Sequence, residues 1–283
     1  FCSLKLLDTQ SMKEKKVSRV ASSILVKMQE DGKSWFTTNQ VYVAFPTMSS
    51  STIRTHLQRM CEYGLIFRVK NETYWIIPYE MDAETYMPSW HLLAEPLVGQ
   101  PYYIGYYSAL QLHGLITQPA LAEQVVIDRK MNNYLTTVRE VPFRFIKHNE
   151  THFFGYKKIW IDDYNRVYAS DLEKTFIDCL FMPHRAGGVI EIAKALYMAK
   201  NKLDFERLLL YAQQMNSKSV VKRLGYLLEL MDIENPIIER LHTLRTASLT
   251  PLDTEVPHQG KASTKWNIIQ NVDVQTIKNS ILS

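Results

Sequence analysis

The chain has 283 residues, which favours two domains over one, and 46% hydrophobic with 22% charged residues places it among ordinary globular proteins. Its apolar runs fall far short of a membrane span, and its three scattered cysteines, Cys2, Cys61 and Cys179, do not form a disulfide framework. The formal charge of +4 is uneven: residues 13–78 hold ten Lys/Arg against five Asp/Glu, whereas residues 79–283 hold 22 basic and 23 acidic side chains. A basic module on a neutral body points to a polyanion partner for that module, although a solvated lysine-rich helix gives a similar count.

The opening FCSLKLLDTQSMKEKK lacks the basic start and apolar core of an export signal, so a cytosolic protein is expected, with Met12 a candidate start. In KKVSRVASSILVKMQEDG, Val17, Ala21, Ile24, Leu25 and Met28 recur at helical spacing, and Gly32 ends the run. TTNQVYVAFP reads as a short helix capped by a Thr and stopped by Pro46. Serines 49 to 51 offer N-caps to a third helix whose apolar face is Ile53, Leu57 and Met60, with Gly64 as its stop. LIFRV and TYWII then alternate as strands about the polar turn Lys70-Asn71-Glu72.

Three helices and a hairpin in this order are those of a winged helix-turn-helix, assigned to residues 13–79, whose second motif helix enters the major groove. With the apolar face inward, Ser51, Thr55, Gln58 and Glu62 point outward, flanked by Arg54 and Arg59. Arg forks onto guanine and Gln onto adenine, which makes these residue types suited to base edges. Thr47, Ser49, Ser50 and Thr52 surround the helix start, where free N–H groups favour a phosphate. Arg68, Lys70 and Asn71 lie at the wing, where backbone or minor-groove contacts are expected. The competing reading is a solvated helix in a module that binds protein.

PYEMDAETYMPSW reads as a linker to an α+β body at 80–283, strand-rich over 90–170, helical over 171–246 and closed by strands over 249–270. Strands are expected at Tyr102–Ile104, EQVVIDRK, VPFRFIKH and KKIWIDD, then at LTPLD and KWNIIQN. Ser108 is expected to cap the helix ALQLHGL, and YASDLEKTFIDCLFMP starts a helix with Ser170 and Glu173 as a capping box. Helices follow after the paired glycines of RAGGVIEIAKAL, with Pro236 in the first turn of the last of them.

YYIGYYSALQLHGL, VYASDLEKTFIDCL, AGGVIEIAKAL and KRLGYLLE, in this order behind the N-terminal module, resemble the AbiEi family of antitoxins over residues 15 to 270. The resemblance implies transcriptional repression of a toxin–antitoxin operon in phage defence. It also implies neutralisation of a nucleotidyltransferase toxin by the body, without a stable toxin complex. On that reading the partners are operator DNA, as paired half-sites bound by two protomers, and the toxin, with no cofactor and no metal.

The body offers few groupings with chemistry of their own. His148 and His152 in HNETH lie i, i+4 but read as a turn and not a metal pair. Asp162, Asp163 and Glu173 suggest the carboxylates of a metal-dependent nuclease, the alternative function, against a polar turn and a capped helix. RAGG lacks the ending of a phosphate loop, and Cys179 sits on an apolar helix face. Neither an enzyme nor a bound metal is therefore expected. Lys218, Lys222 and Arg223 near Tyr226, and Lys261 and Lys265 near Trp266, are the candidates for antitoxin function. The plainer reading of Lys218 to Arg223 is one charged helix face opposite Val221, Leu224 and Leu228. A body acting as a ligand sensor stays open.

Overall fold

The computed structural model describes residues 15–30, 32–116 and 118–281, so Met12 and Cys2 lie outside the described residues. Among them the chain forms eleven α-helices and three sheets, a mixed α+β fold. It divides into two compact units, the first ending at Gly99 and the second beginning at Gln100.

In the first unit α1 (Arg19–Gln29), α2 (Thr38–Ala44) and α3 (Ser50–Glu62) each begin on a hydroxyl cap: Ser18, Thr37 and Ser49. Thr37 and Gln40 cap reciprocally, with Gln40 N donating to Thr37 Oγ1 at 3.3 Å and Thr37 N to Gln40 Oε1 at 2.8 Å. Gly64 turns the chain out of α3 at φ +67°, and a Cβ there would collide with Ala83. β2 (Ile66–Lys70) and β3 (Thr73–Ile76) form the expected hairpin. A three-residue strand not expected from the sequence, β1 (Trp35–Thr37), pairs on its far side in the antiparallel order β1-β3-β2. The helices pack Ala21, Ile24, Val41, Ile53, Leu57 and Met60 against Phe36, Ile66, Tyr74 and Ile76 of one sheet face.

The sheet is apolar on its other face too. Phe67, Val69 and Trp75 alternate with the core residues and are equally buried. A short helix, α4 (Ala94–Val98), packs against β2, and Lys70 Nζ donates to its Leu97 carbonyl at 2.7 Å. The segment expected as a linker therefore belongs to the first unit, and the division falls at 99/100 and not at 79/80.

The second unit is built on a six-stranded mixed sheet in the order β6-β7-β5-β4-β9-β8. Its strands are β4 (Tyr102–Ile104), β5 (Glu123–Ile127), β6 (Leu135–Val138), β7 (Val141–Lys147), β8 (Tyr156–Trp160) and β9 (Arg166–Ser170). The helices are α5 (Tyr106–Leu112), α6 (Leu172–Phe181), α7 (Gly188–Ala199), α8 (Phe205–Gln214), α9 (Lys218–Leu230), α10 (Ile237–Leu244) and α11 (Val274–Ser280). β10 (Thr250–Pro251), β12 (Ile268–Gln270) and β11 (Lys261–Ser263) make a small third sheet.

Two expected caps are corrected. Ser170 belongs to β9, and Asp171 caps α6 by accepting from Lys174 N at 2.8 Å. Pairing with β8 carries Ser170 into the sheet, which leaves the next polar residue to cap; Glu173 instead accepts from Asp204 N at 2.9 Å. Ser108 lies inside α5, whose cap is Gly105, and its hydroxyl accepts from Gln124 N at 2.9 Å.

α9 passes directly over the buried Trp266 ring at Gly225, and a Cβ there would land on the indole. Trp266 Nε1 donates to Glu229 of the same helix at 2.7 Å, so the ring cannot slide away without losing that bond. Gly225→Ala should cost about 1–3 kcal/mol or more by overpacking. A urea midpoint equal to that of the native chain would show that the indole moves freely.

Candidate nucleic-acid interface

α3 separates its faces as the sequence spacing requires. Ile53, Leu57 and Met60 are fully buried, while Ser50, Ser51, Thr52, Arg54, Thr55, Gln58 and Arg59 are exposed, with Thr47 and Ser49 exposed just before the helix. The helix start is a hydroxyl cluster: Ser49 Oγ accepts from Thr52 N at 3.2 Å and lies 2.9 Å from Ser51 Oγ and 2.8 Å from Thr52 Oγ1. Thr55 donates to its own helix at Ser51 O, and Gln58 Nε2 donates to Glu62 at 3.0 Å. Arg54 reaches the hairpin turn, 3.8 Å from Glu72, in a pair whose two side chains are mostly exposed. Such a pair is worth little in water and gives way to a stronger acceptor.

At the hairpin the expected residues divide. Arg68 is exposed beside the Tyr74 ring, 5.7 Å from its centroid, and Asn71 is exposed in the turn. Lys70 is drawn the other way, to Leu97 O, where the C-terminal end of α4 favours a cation.

The expected charged face on α9 is corrected. Lys218 is exposed, but Lys222 and Arg223 are buried. Lys222 Nζ donates to the carbonyl and hydroxyl of Ser248 and to Thr250 Oγ1. Arg223 donates to the carbonyls of Pro251, Leu252 and Leu180, and burial lowers its proton affinity to about 10. Both side chains tie the 248–252 segment to α9, and Arg223 also ties that helix to the end of α6. Of the later lysines, Lys261 is exposed and Lys265 pairs with Glu229.

A polar cluster not expected from the sequence lies between the large sheet and α6. Lys174 and Asp178, one helical turn apart and both fully buried, form an ion pair. Tyr103 donates to Asp178 Oδ2 at 3.0 Å, and its hydroxyl lies 3.1 Å from His148 Nδ1. His148 Nε2 lies 2.7 Å from the Tyr106 hydroxyl. Burial pushes both tyrosine hydroxyls well above 10 and His148 below 6.5, so the cluster holds a neutral imidazole at neutral pH. Its only sequence signal is a Lys–Asp pair at i, i+4 on the apolar stretch FIDCL.

His152, the other half of HNETH, stands with its ring centroid 6.1 Å from that of His148. Asp162 accepts from Tyr164 N and Asn165 N in an exposed turn, and Glu173 pairs with Arg207 at 3.6 Å. Among the described residues no group of three His, Cys, Asp or Glu is placed to hold a metal ion, and no helix is long and apolar enough to cross a membrane. Cys179 is buried, and Cys61 is half-buried with its thiol pushed up to about 11.

No protein-family model matches the chain, and none of the curated proteins compared with it does. Among solved structures, the crystal structure of the RV2827C protein from Mycobacterium tuberculosis is similar over 97% of this chain and 98% of that one. The TM-score is 0.70 at 13% identity. The likeness is one of fold.

The buried ion pair and the buried imidazoles each set an expected outcome. Lys174→Met should cost about 3–5 kcal/mol by stranding Asp178, and adding Asp178→Leu should restore much of it; a single variant as stable as the native chain would contradict the pairing. His113, His148, His152 and His184 all have folded values below 6.5, chiefly through burial. The unfolded chain then binds more protons, so the stabilisation present above pH 6.5 is lost as pH falls towards the lower folded values. Urea midpoints should decline between pH 7.5 and 6, and a flat profile would show that these rings are solvated.

Proposed function

We propose that the first unit is a winged helix-turn-helix and that the chain is a sequence-specific DNA-binding repressor of its own toxin–antitoxin operon. On this reading it acts in the cytoplasm in phage defence, and it is also the antitoxin that counteracts a nucleotidyltransferase toxin. The observation that carries the DNA reading is α3. Its buried residues anchor it along one side, and the opposite side presents Ser51, Arg54, Thr55, Gln58 and Arg59 to solvent. The major groove admits a helix with this inventory, with Arg54 and Gln58 reading base edges and the Ser49–Thr52 hydroxyls meeting a phosphate. Arg68 and Asn71 hold the adjoining backbone, while Lys70 braces α4.

The toxin-directed half of the proposal rests on the resemblance to the AbiEi family. It assigns neutralisation to the second unit, where Lys218, Lys261 and Lys265 are the basic candidates that stay exposed, Lys265 in a pair with Glu229. The likeness of fold to the mycobacterial protein carries no function with it.

A gel-shift titration on the DNA upstream of the gene, against scrambled DNA at two salt concentrations, tests the reading. Tight binding to the native sequence alone is expected to survive the higher salt. Arg54→Ala with Gln58→Ala should weaken it by about 1–3 kcal/mol for each base no longer read. Unchanged operator affinity in that folded double variant would remove α3 from the groove.

A further inference from the structure

Two arginines of the second unit are brought to one face of its large sheet. Gln124 and Arg144 are register partners on the adjacent parallel strands β5 and β7, so their side chains share a sheet face. The Gln124 amide is committed at both ends: Oε1 accepts from Tyr107 N at 2.8 Å and Nε2 donates to Arg185 O at 2.9 Å. That second bond fastens the single 3-10 turn Pro183–Arg185 beside the sheet position next to Arg144. The Arg185 Nε is buried and has no partner. Among the described residues no carboxylate pairs with either guanidinium.

The electrostatics agree with this placement. Burial, and then Arg144, lower the proton affinity of Arg185. Burial lowers His184, and so do Arg185 and Arg144, with Glu255 and Asp253 opposing them. Those two acids bear on His184, and Asp253 is already engaged as acceptor to Val189 N and Glu255 N. Two guanidinia in each other's field repel, and one of them has a buried donor left over. A tetrahedral oxyanion relieves the repulsion, because each guanidinium can fork onto two of its oxygens through its terminal NH groups.

We propose that Arg144 and Arg185 together form a phosphate-binding site for a nucleotide or the terminal phosphate of a nucleic-acid strand. The organic part lies over Leu135, which pairs with Arg144 across β6 and β7 and is 59% exposed. The site belongs to the second unit and does not depend on α3 reading DNA. It uses the RAGG stretch through the arginine and not as a phosphate loop.

The full chain is titrated with inorganic phosphate, with AMP and with an RNA tetranucleotide carrying or lacking a 5′-phosphate. His184 is followed by NMR, assigned by difference against His184→Gln. Burial holds His184 down first and the two arginines add to it; an anion between them cancels their part, so its titration midpoint should rise on saturation with phosphate. Arg144→Gln, at an exposed position, should abolish that rise. Arg185→Lys, which keeps the charge and loses the fork, should weaken phosphate about tenfold. Tighter binding of AMP than of phosphate supports a nucleotide over Leu135, and tetranucleotide binding only with the 5′-phosphate supports a strand end. A His184 midpoint unmoved by saturating phosphate, or moved equally in Arg144→Gln, would overturn the site.

Discussion

The second unit depends on one ion pair that water cannot reach. An isolated ammonium or carboxylate buried this deeply costs several kcal/mol, so Lys174 and Asp178 are tolerable only together and only with further hydrogen bonds. Asp178 finds the second bond in Tyr103 of β4, and Tyr103 links it to His148 at the end of β7 and so to Tyr106 of α5. Each link joins a different element. The cluster thereby fixes where the sheet, α5 and α6 meet, and it does so with direction, which apolar packing alone lacks. α6 also touches α7, α8 and α9, and Arg223 of α9 reaches back to its Leu180 carbonyl. The helical half of the unit is thus hung on the element that carries the ion pair.

The first unit is organised on the opposite principle. None of its described Lys, Arg, Asp or Glu residues is buried and its interior is mainly apolar, with no buried ion pair between its helices and sheet among the described residues. The positive excess of residues 13–78 lies within this unit, where Glu80, Asp82, Glu84 and Glu95 offset most of it. Charge kept at the surface is available to a partner, whereas charge committed inside the second unit is not. Lys222 and Arg223 belong to the second kind despite their residue types.

How much of the fold is legible in the sequence follows from the range of the interactions. α1, α2, α3 and the hairpin are legible because their signals are local: a hydroxyl cap, apolar residues a turn apart, a glycine stop, a polar turn. β1 is not, since three residues show no period and acquire strand character only by pairing with Thr73–Trp75. Ser170 is misplaced by its pattern for the same reason: its neighbours on β8 decide that it is strand, and a capping pattern cannot see them. The solvated face expected on α9 fails because carbonyls some 25–30 positions further on fold back over it. At the interface, the outward face of α3 is legible from periodicity. The diversion of Lys70 is not, because its acceptor is on a short helix just past the apparent linker, where strands are expected.

That helix bears on how the chain can be divided. A sheet wetted on one side tolerates a cut after its last strand, but this one is apolar on both. A fragment stopped at the hairpin would lose α4 and bare part of β2, inviting the self-association of exposed apolar strands. A fragment that keeps this cover accordingly runs to Gly99, where the first unit ends.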